Sequence, residues 1–262
     1  MKKVLMFLYS IVAYAIAFAA IIFWILSTSH LIPAISIDQA PRVPTLLAIA
    51  NNLVLISLFG VQHSVMARAW FKDWFARYFP RPVERSTFVL ISGLLLFNLV
   101  FNWQPLGGMI WEIPSGSILY YTTYVLFFSG WAILFISSFL INHFDLFGLR
   151  QTFLELQNKP YTPLKFREIA FYKYVRHPLY LGMILGVSST PVMSVTHLLF
   201  ALAVTGYVLV GIFFEEKDLA KAHPAEYAQY KAAKPMLIPF TKGLFRKNKR
   251  AGSLKRTTSG AV

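Results

Sequence analysis

The chain has 262 residues, of which 56% are hydrophobic and 24 are Phe, and its mean hydropathy is +0.56. Such a composition leaves too little polar surface to cover a water-soluble globule. Its formal charge of +14 lies in loops and a tail beside apolar runs, so anionic lipid headgroups rather than nucleic acid are the expected partner. With no Cys there is no disulfide framework, no thiolate nucleophile and no cysteine-ligated metal.

Apolar runs near the roughly 20 residues needed to cross hydrocarbon are, in chain order, Val4–Leu26, Thr45–Val65, Thr87–Phe101, Ile118–Ile141, Leu179–Val195 and Thr196–Phe214. They predict an all-α polytopic membrane protein with five to six transmembrane helices, supplemented by interfacial and cytoplasmic helices. The last two spans are short and read as a hairpin turning near Pro191. Met1-Lys2-Lys3 before an apolar run resembles a signal peptide, but the run is long and further spans follow, so an uncleaved first helix is expected. Residues 1–240 read as a single integral-membrane domain, and the basic segment 241–262 as a disordered tail.

Arg68, Lys72, Arg77, Arg81 and Arg85 follow the second span, and Arg150, Lys159, Lys165, Arg167, Lys173 and Arg176 follow the fourth. The connection Ser27–Pro44 has only Arg42, and Asn102–Ser117 has no Lys or Arg. An excess of positive charge marks cytoplasmic loops, so both termini are expected in the cytoplasm. Gly182 and Gly186, one turn apart, with Gly206 and Gly211 on the next helix, predict close packing of the terminal hairpin.

Three polar groups stand at span ends. Gln62, His63 and Ser64 close the second span, and Asn142 and His143 leave the fourth together with Asp145 and Arg150. A His beside a carboxylate titrates close to neutral pH, so His143 with Asp145, and His63, are candidate acid-base groups. The third group is YKYVRHPLYLG at the fifth span, faced by Glu215–Glu216 at the end of the sixth. No HExxH or comparable spacing is present, and no metal site is expected.

The blocks LFGVQHSVMARAWFKDWFARYFPRPVERSTFVL, FLINHFDLFGLRQTFLELQNKPYTPLKFRE and YKYVRHPLYLG with FFEEKDLAKAHPAEYAQYKAAKPMLIP resemble the bacterial methanethiol S-methyltransferases. These are integral-membrane methyltransferases related to isoprenylcysteine carboxyl methyltransferase, and the likeness runs from the first span to about Phe240. It implies bound S-adenosylmethionine, a small thiol such as methanethiol as substrate, dimethyl sulfide as product, and a bacterial inner membrane as location. No Gly-rich strand-to-helix fingerprint exists, which excludes a Rossmann-type cofactor site.

Carried onto matching positions, the resemblance implies cofactor contacts from Tyr174, Arg176, His177, Pro178, Tyr180, Glu215 and Glu216, with Tyr227 and Tyr230 closing the site. Proton removal from the thiol falls to His143, held by Asp145, or to His63. Arg85 or Arg150 would stabilise the anion, and Gln62 and Asn142 complete the substrate-facing set. Two other classes stay open: a relative that methylates or reduces an isoprenoid or sterol-like lipid, and a transporter or sensor. The second would want inverted repeats or mid-bilayer charges, and neither is visible.

Overall fold

The computed structural model describes residues 1–242. Of the predicted basic tail, all but the first two residues lie outside the described residues. Among the described residues, five helices are long and apolar enough to cross a bilayer, which makes this an integral membrane protein. They are α1 (Lys2–Ser29), α2 (Thr45–Met66), α4 (Glu84–Phe101), α5 (Ile118–Ile141) and α9 (Val195–Ala222). Short helices α3 (Ala69–Tyr78), α6 (His143–Leu146), α7 (Leu149–Leu156) and α10 (Pro224–Ala233) lie between or after them.

The predicted fifth span is cut short. Helix α8 covers only Pro178–Ser188, about 16 Å at 1.5 Å per residue, roughly half of the hydrocarbon thickness. Pro178 starts it at the first helical position, where a missing N–H costs nothing. Beyond Ser188 the chain is extended: strand β2 (Val192–Ser194) pairs antiparallel with β1 (Met109–Glu112), a two-stranded sheet absent from the helical reading. By contrast α9 runs two turns past the predicted end at Phe214, so Glu215 and Glu216 lie inside the helix.

The glycines also pack differently from the hairpin expectation. A Cβ on Gly130 of α5 would sit 2.3 Å from the Gly186 nitrogen, and one on Gly182 would sit 2.5 Å from the Gly130 carbonyl oxygen. The close backbone approach is therefore α8 on α5. Gly206 and Gly211 on α9 have no atom within 4 Å of an added Cβ. Trp24, Phe127, Trp131, Phe200, Val204 and Val208 form the main buried cluster, joining α1, α5 and α9 around α8. Because lipid is as apolar as these side chains, such packing gains mainly from contact and shape.

Candidate functional site

The Arg-His-Pro entry of α8 and the acidic pair of α9 meet. Arg176 donates from Nε to Glu216 Oε1 at 2.8 Å, and a terminal guanidinium nitrogen approaches the same oxygen at 2.7 Å. His177 Nε2 lies 3.1 Å from Glu216 Oε1, and its Nδ1 lies 3.7 Å from Glu215 Oε2. Lys231 of α10 approaches the second oxygen of Glu216 at 2.7 Å, a partner that sequence reasoning missed. Backbone bonds from Arg176 to the Pro235 carbonyl and from His177 to the Met236 carbonyl fasten the entry of α8 to the segment after α10.

Glu216 is thereby surrounded by partners of this chain. Glu215 is different. Its Oε2 makes no well-aligned hydrogen bond among the described residues, while the Tyr180 hydroxyl is within hydrogen-bonding reach of the carboxylate and His177 Nδ1 is within ion-pair distance. With His177 Nδ1 at 3.7 Å and the Tyr180 hydroxyl against the same carboxylate, Glu215 is less fully paired by this chain than Glu216.

Tyr172, just before the Arg-His-Pro element, also faces Glu215; burial, reinforced by that carboxylate, holds its hydroxyl well above the ordinary tyrosine range. It can donate a hydrogen bond but not act as a base. Tyr227 and Tyr230 are buried on α10, a helix separate from α9, with Tyr227 facing Glu216 and the Tyr230 hydroxyl donating to the Tyr172 carbonyl at 2.7 Å. Tyr174 is turned outward and is 58% exposed. Pro178 is buried at the helix start.

The two candidate histidines have different surroundings. His143 is 2% exposed and has both ring nitrogens occupied, Nδ1 by the Ser138 hydroxyl at 2.8 Å and Nε2 by the Tyr14 hydroxyl at 3.1 Å. Phe139 stacks on it at 4.2 Å between ring centroids, and Phe147 leans on it at 4.6 Å. Burial holds it below the ordinary histidine range. Its expected partner Asp145 instead binds Arg150 at 2.8 Å and accepts a hydrogen bond from Tyr161 at 3.3 Å. The correction has a local cause: Asn142 caps α6 by accepting from the Asp145 backbone N–H, and the carboxylate then faces Arg150 across the turn into α7. Arg150 also binds the carbonyl and hydroxyl of Thr162, so this network ties down the interfacial loop.

His63 lies between α2, α4 and α9. Its ring packs on Phe88 at 4.6 Å and on Tyr207 at 5.9 Å, and its Nδ1 is 3.3 Å from the Ser92 hydroxyl. Gln62 donates its amide to Met66 Sδ, which turns its Oε1 toward Ser92 at 3.3 Å. With Ser92 donating to Gln62, its oxygen accepts from His63 Nδ1–H, and the neutral ring presents an unprotonated Nε2. That nitrogen has no hydrogen-bond partner among the described residues.

Arg85 stands beside this ring. Its guanidinium lies 4.6 Å from the Phe88 centroid and donates from Nε to the Leu146 carbonyl at 2.7 Å. Its remaining N–H groups have no hydrogen bond or ion pair among the described residues, and Asp145, Tyr161 and Tyr180 are within its electrostatic reach. Tyr180 in turn senses Glu215, Tyr207 and Tyr172. His63, Arg85, Tyr180, Tyr207 and Glu215 thus form a polar series across α2, α4, α8 and α9.

A cavity of about 850 Å³ opens between α1, α2, α3 and α4, lined by apolar side chains such as Leu5, Met6, Val65, Phe71 and Trp74, with Gln62 among its few polar groups. It does not touch Arg176, His177, Glu215 or Glu216. A pocket so lined suits an apolar molecule, while the charged groups needed for a polar ligand lie in the other series.

No family model matches the chain, and no solved structure matches it. It is 48% identical over 207 residues to the methanethiol S-methyltransferase of Crocosphaera subtropica, covering 78% of this chain and 80% of that protein. It is 43% identical over 242 residues to methanethiol S-methyltransferase 1 of Bradyrhizobium diazoefficiens, covering 92% and 85%. With the methanethiol S-methyltransferase of Mycobacterium tuberculosis it shares 40% identity over 242 residues, covering 92% and 98%. Likeness at this level over most of each chain shows that the chain belongs to the methanethiol S-methyltransferase family.

Proposed function

We propose that the protein is an S-adenosylmethionine-dependent methyltransferase that converts methanethiol to dimethyl sulfide in the membrane. The observation that carries the reading is the incompletely satisfied Glu215 carboxylate beside Tyr180 and His177, set in a series that ends at His63 and Arg85. S-adenosylmethionine supplies, when bound, an electrophilic methyl group for in-line transfer to sulfur.

The residues present fit that cofactor. The Glu215 carboxylate accepts from an ammonium or from ribose hydroxyls, and a charge-assisted bond there fills the acceptor capacity that the chain leaves open. Tyr180 and Tyr172 border the same space. Arg176, His177, Glu216 and Lys231 compensate one another and hold the wall in place.

On the substrate side, a thiol with a pKa near or above about 8.5 is mostly protonated at neutral pH. His63 Nε2 takes that proton, with Ser92 and Gln62 fixing the ring as the correct tautomer. Arg85 stabilises the thiolate through its unused N–H groups. Apolar walls from Phe88 and Phe59 withdraw water from the anion and so raise its reactivity. The 850 Å³ apolar cavity reaches Gln62, the neighbour of His63, and offers a path for a small uncharged thiol from lipid. The distribution of Lys and Arg supports a cytoplasmic location for both termini, and the likeness to bacterial methanethiol S-methyltransferases supports a bacterial inner membrane.

The test is direct. Membranes containing the protein, given methyl-labelled S-adenosylmethionine and methanethiol, should release labelled dimethyl sulfide into the headspace. Cofactor binding without any methylated sulfur product from a panel of thiols would overturn the reading in favour of a lipid substrate.

A further inference from the structure

At the other end of α9 from Glu215 stands a second cluster of ionisable groups with no part in the reading above. His197 lies in the first turn of α9, 18 residues before Glu215 and so about 27 Å away along the axis. His30 ends α1 with φ 60, a left-handed backbone that residues other than glycine seldom adopt. Asp38 comes from the connection to α2. The side chains of His30, Asp38 and His197 are 13%, 4% and 0% exposed.

Their ligating atoms converge. Asp38 Oδ2 is 2.8 Å from His30 Nε2 and 3.0 Å from His197 Nδ1, and the two ring nitrogens are 3.4 Å apart. For a triangle with these sides, a point about 2.0–2.1 Å from all three atoms lies roughly 1 Å off their plane, and that is the bond length of Zn²⁺ to imidazole nitrogen and carboxylate oxygen.

The surroundings are those of a metal ligand set. His197 Nε2 donates to the Val187 carbonyl at 2.8 Å, and Nδ1 faces Asp38 Oδ2 at 3.0 Å, so a metal ion would take the place of the Nδ1 proton between them. The other Asp38 oxygen accepts from the Ser194 hydroxyl, and Ser194 also caps α9 by accepting from the His197 N–H at 3.0 Å. Asp38 and His197 are thus each oriented by a partner that does not compete for the metal-binding atom.

We propose that His30, Asp38 and His197 bind a divalent transition-metal ion of the Zn²⁺ class, with remaining coordination positions left to water. The ion ties the end of α1, the connection to α2 and the start of α9 together, and through Val187 it reaches the end of α8. At about 27 Å from Glu215 its role is structural rather than catalytic. This assignment is independent of the thiol reading.

The test uses the full chain, solubilised in detergent, freed of any affinity tag and stripped with chelator. Titration with Zn²⁺ should leave one ion per chain after dialysis and raise the thermal midpoint, and Co²⁺ should give the visible absorption of a tetrahedral or five-coordinate site. Asp38→Asn and His197→Gln should abolish both effects, Ser194→Ala should weaken Zn²⁺ binding about 10–100-fold, and His63→Ala and His143→Ala should keep them. If the Asp38 and His197 variants do not fold, His30→Asn and the wild-type Co²⁺ spectrum decide the matter. A wild-type protein that retains no Zn²⁺ and shows no Co²⁺ absorption, or an Asp38→Asn protein that binds as well as wild type, would leave only a hydrogen-bonded ion cluster and overturn the proposal.

Discussion

His63 and His143 occupy similar places in the sequence, each at the end of an apolar span beside polar neighbours, yet the fold treats them in opposite ways. His143 spends both nitrogens on Ser138 and Tyr14 inside an aromatic box. His63 spends one on Ser92 and leaves the other without a hydrogen bond among the described residues, with Arg85 within electrostatic reach of the ring. What separates the two is the number of hydrogen-bonded ring nitrogens among the described residues. The reactive reading therefore rests on His63, and His143 holds α1 to the end of α5.

The sharpest way to break this contrast is substitution. His63→Ala should lower dimethyl sulfide formation by about 10²–10⁴-fold, the range for loss of a general base, with cofactor binding kept. Arg85→Met should cost about 10²–10³-fold through loss of anion stabilisation, and Arg85→Lys should recover part of it. Initial rates with purified protein check both. His143→Ala, in contrast, should leave the rate per folded molecule near wild type and reduce stability, because Ser138 and Tyr14 lose their partner.

Backbone packing gives a smaller effect. Gly130→Ala forces a Cβ into the α8 backbone, and overpacking of this kind costs about 1–3 kcal/mol. Gly206→Ala, with open space around it, should be neutral or slightly stabilising. Thermal unfolding in detergent separates the two.

The smallest expected effect is on pH. Burial holds His143 neutral in the fold, so the unfolded chain binds its proton more readily. Stability from this group is fully present above about pH 6.5, the unfolded value, and is lost as pH falls through the lowered folded value. The wild-type thermal midpoint should drop on acidification below that point, and His143→Gln should flatten the curve.

Hydropathy made the long spans legible: Ile118–Ile141 matches its helix residue for residue, and Thr45–Val65 falls one residue short. It failed at the fifth span because Val187, Val192, Met193 and Val195 carry the apolar run past Pro191, while Pro191 lacks the N–H a helix needs and the residues after it pair with Met109–Glu112 instead. The meeting of Arg176–His177 with Glu215–Glu216 was readable as two charged motifs at apolar helix ends. Lys231 was not, since nothing in its own segment points to a partner fifteen residues back. The His30, Asp38 and His197 cluster was equally invisible, because its members are separated by up to 167 residues and carry no ligand spacing.

The dependence of the His63→Ala defect on thiol acidity tests the central claim most directly. Rates of methyl transfer from S-adenosylmethionine would be measured for wild type and variant across thiols from methanethiol to more acidic analogues of similar size. A defect that shrinks steadily as the thiol ionises unaided is the expected result. A variant as active as wild type on methanethiol, or one equally impaired on every thiol, would contradict His63 as the acceptor of the substrate proton.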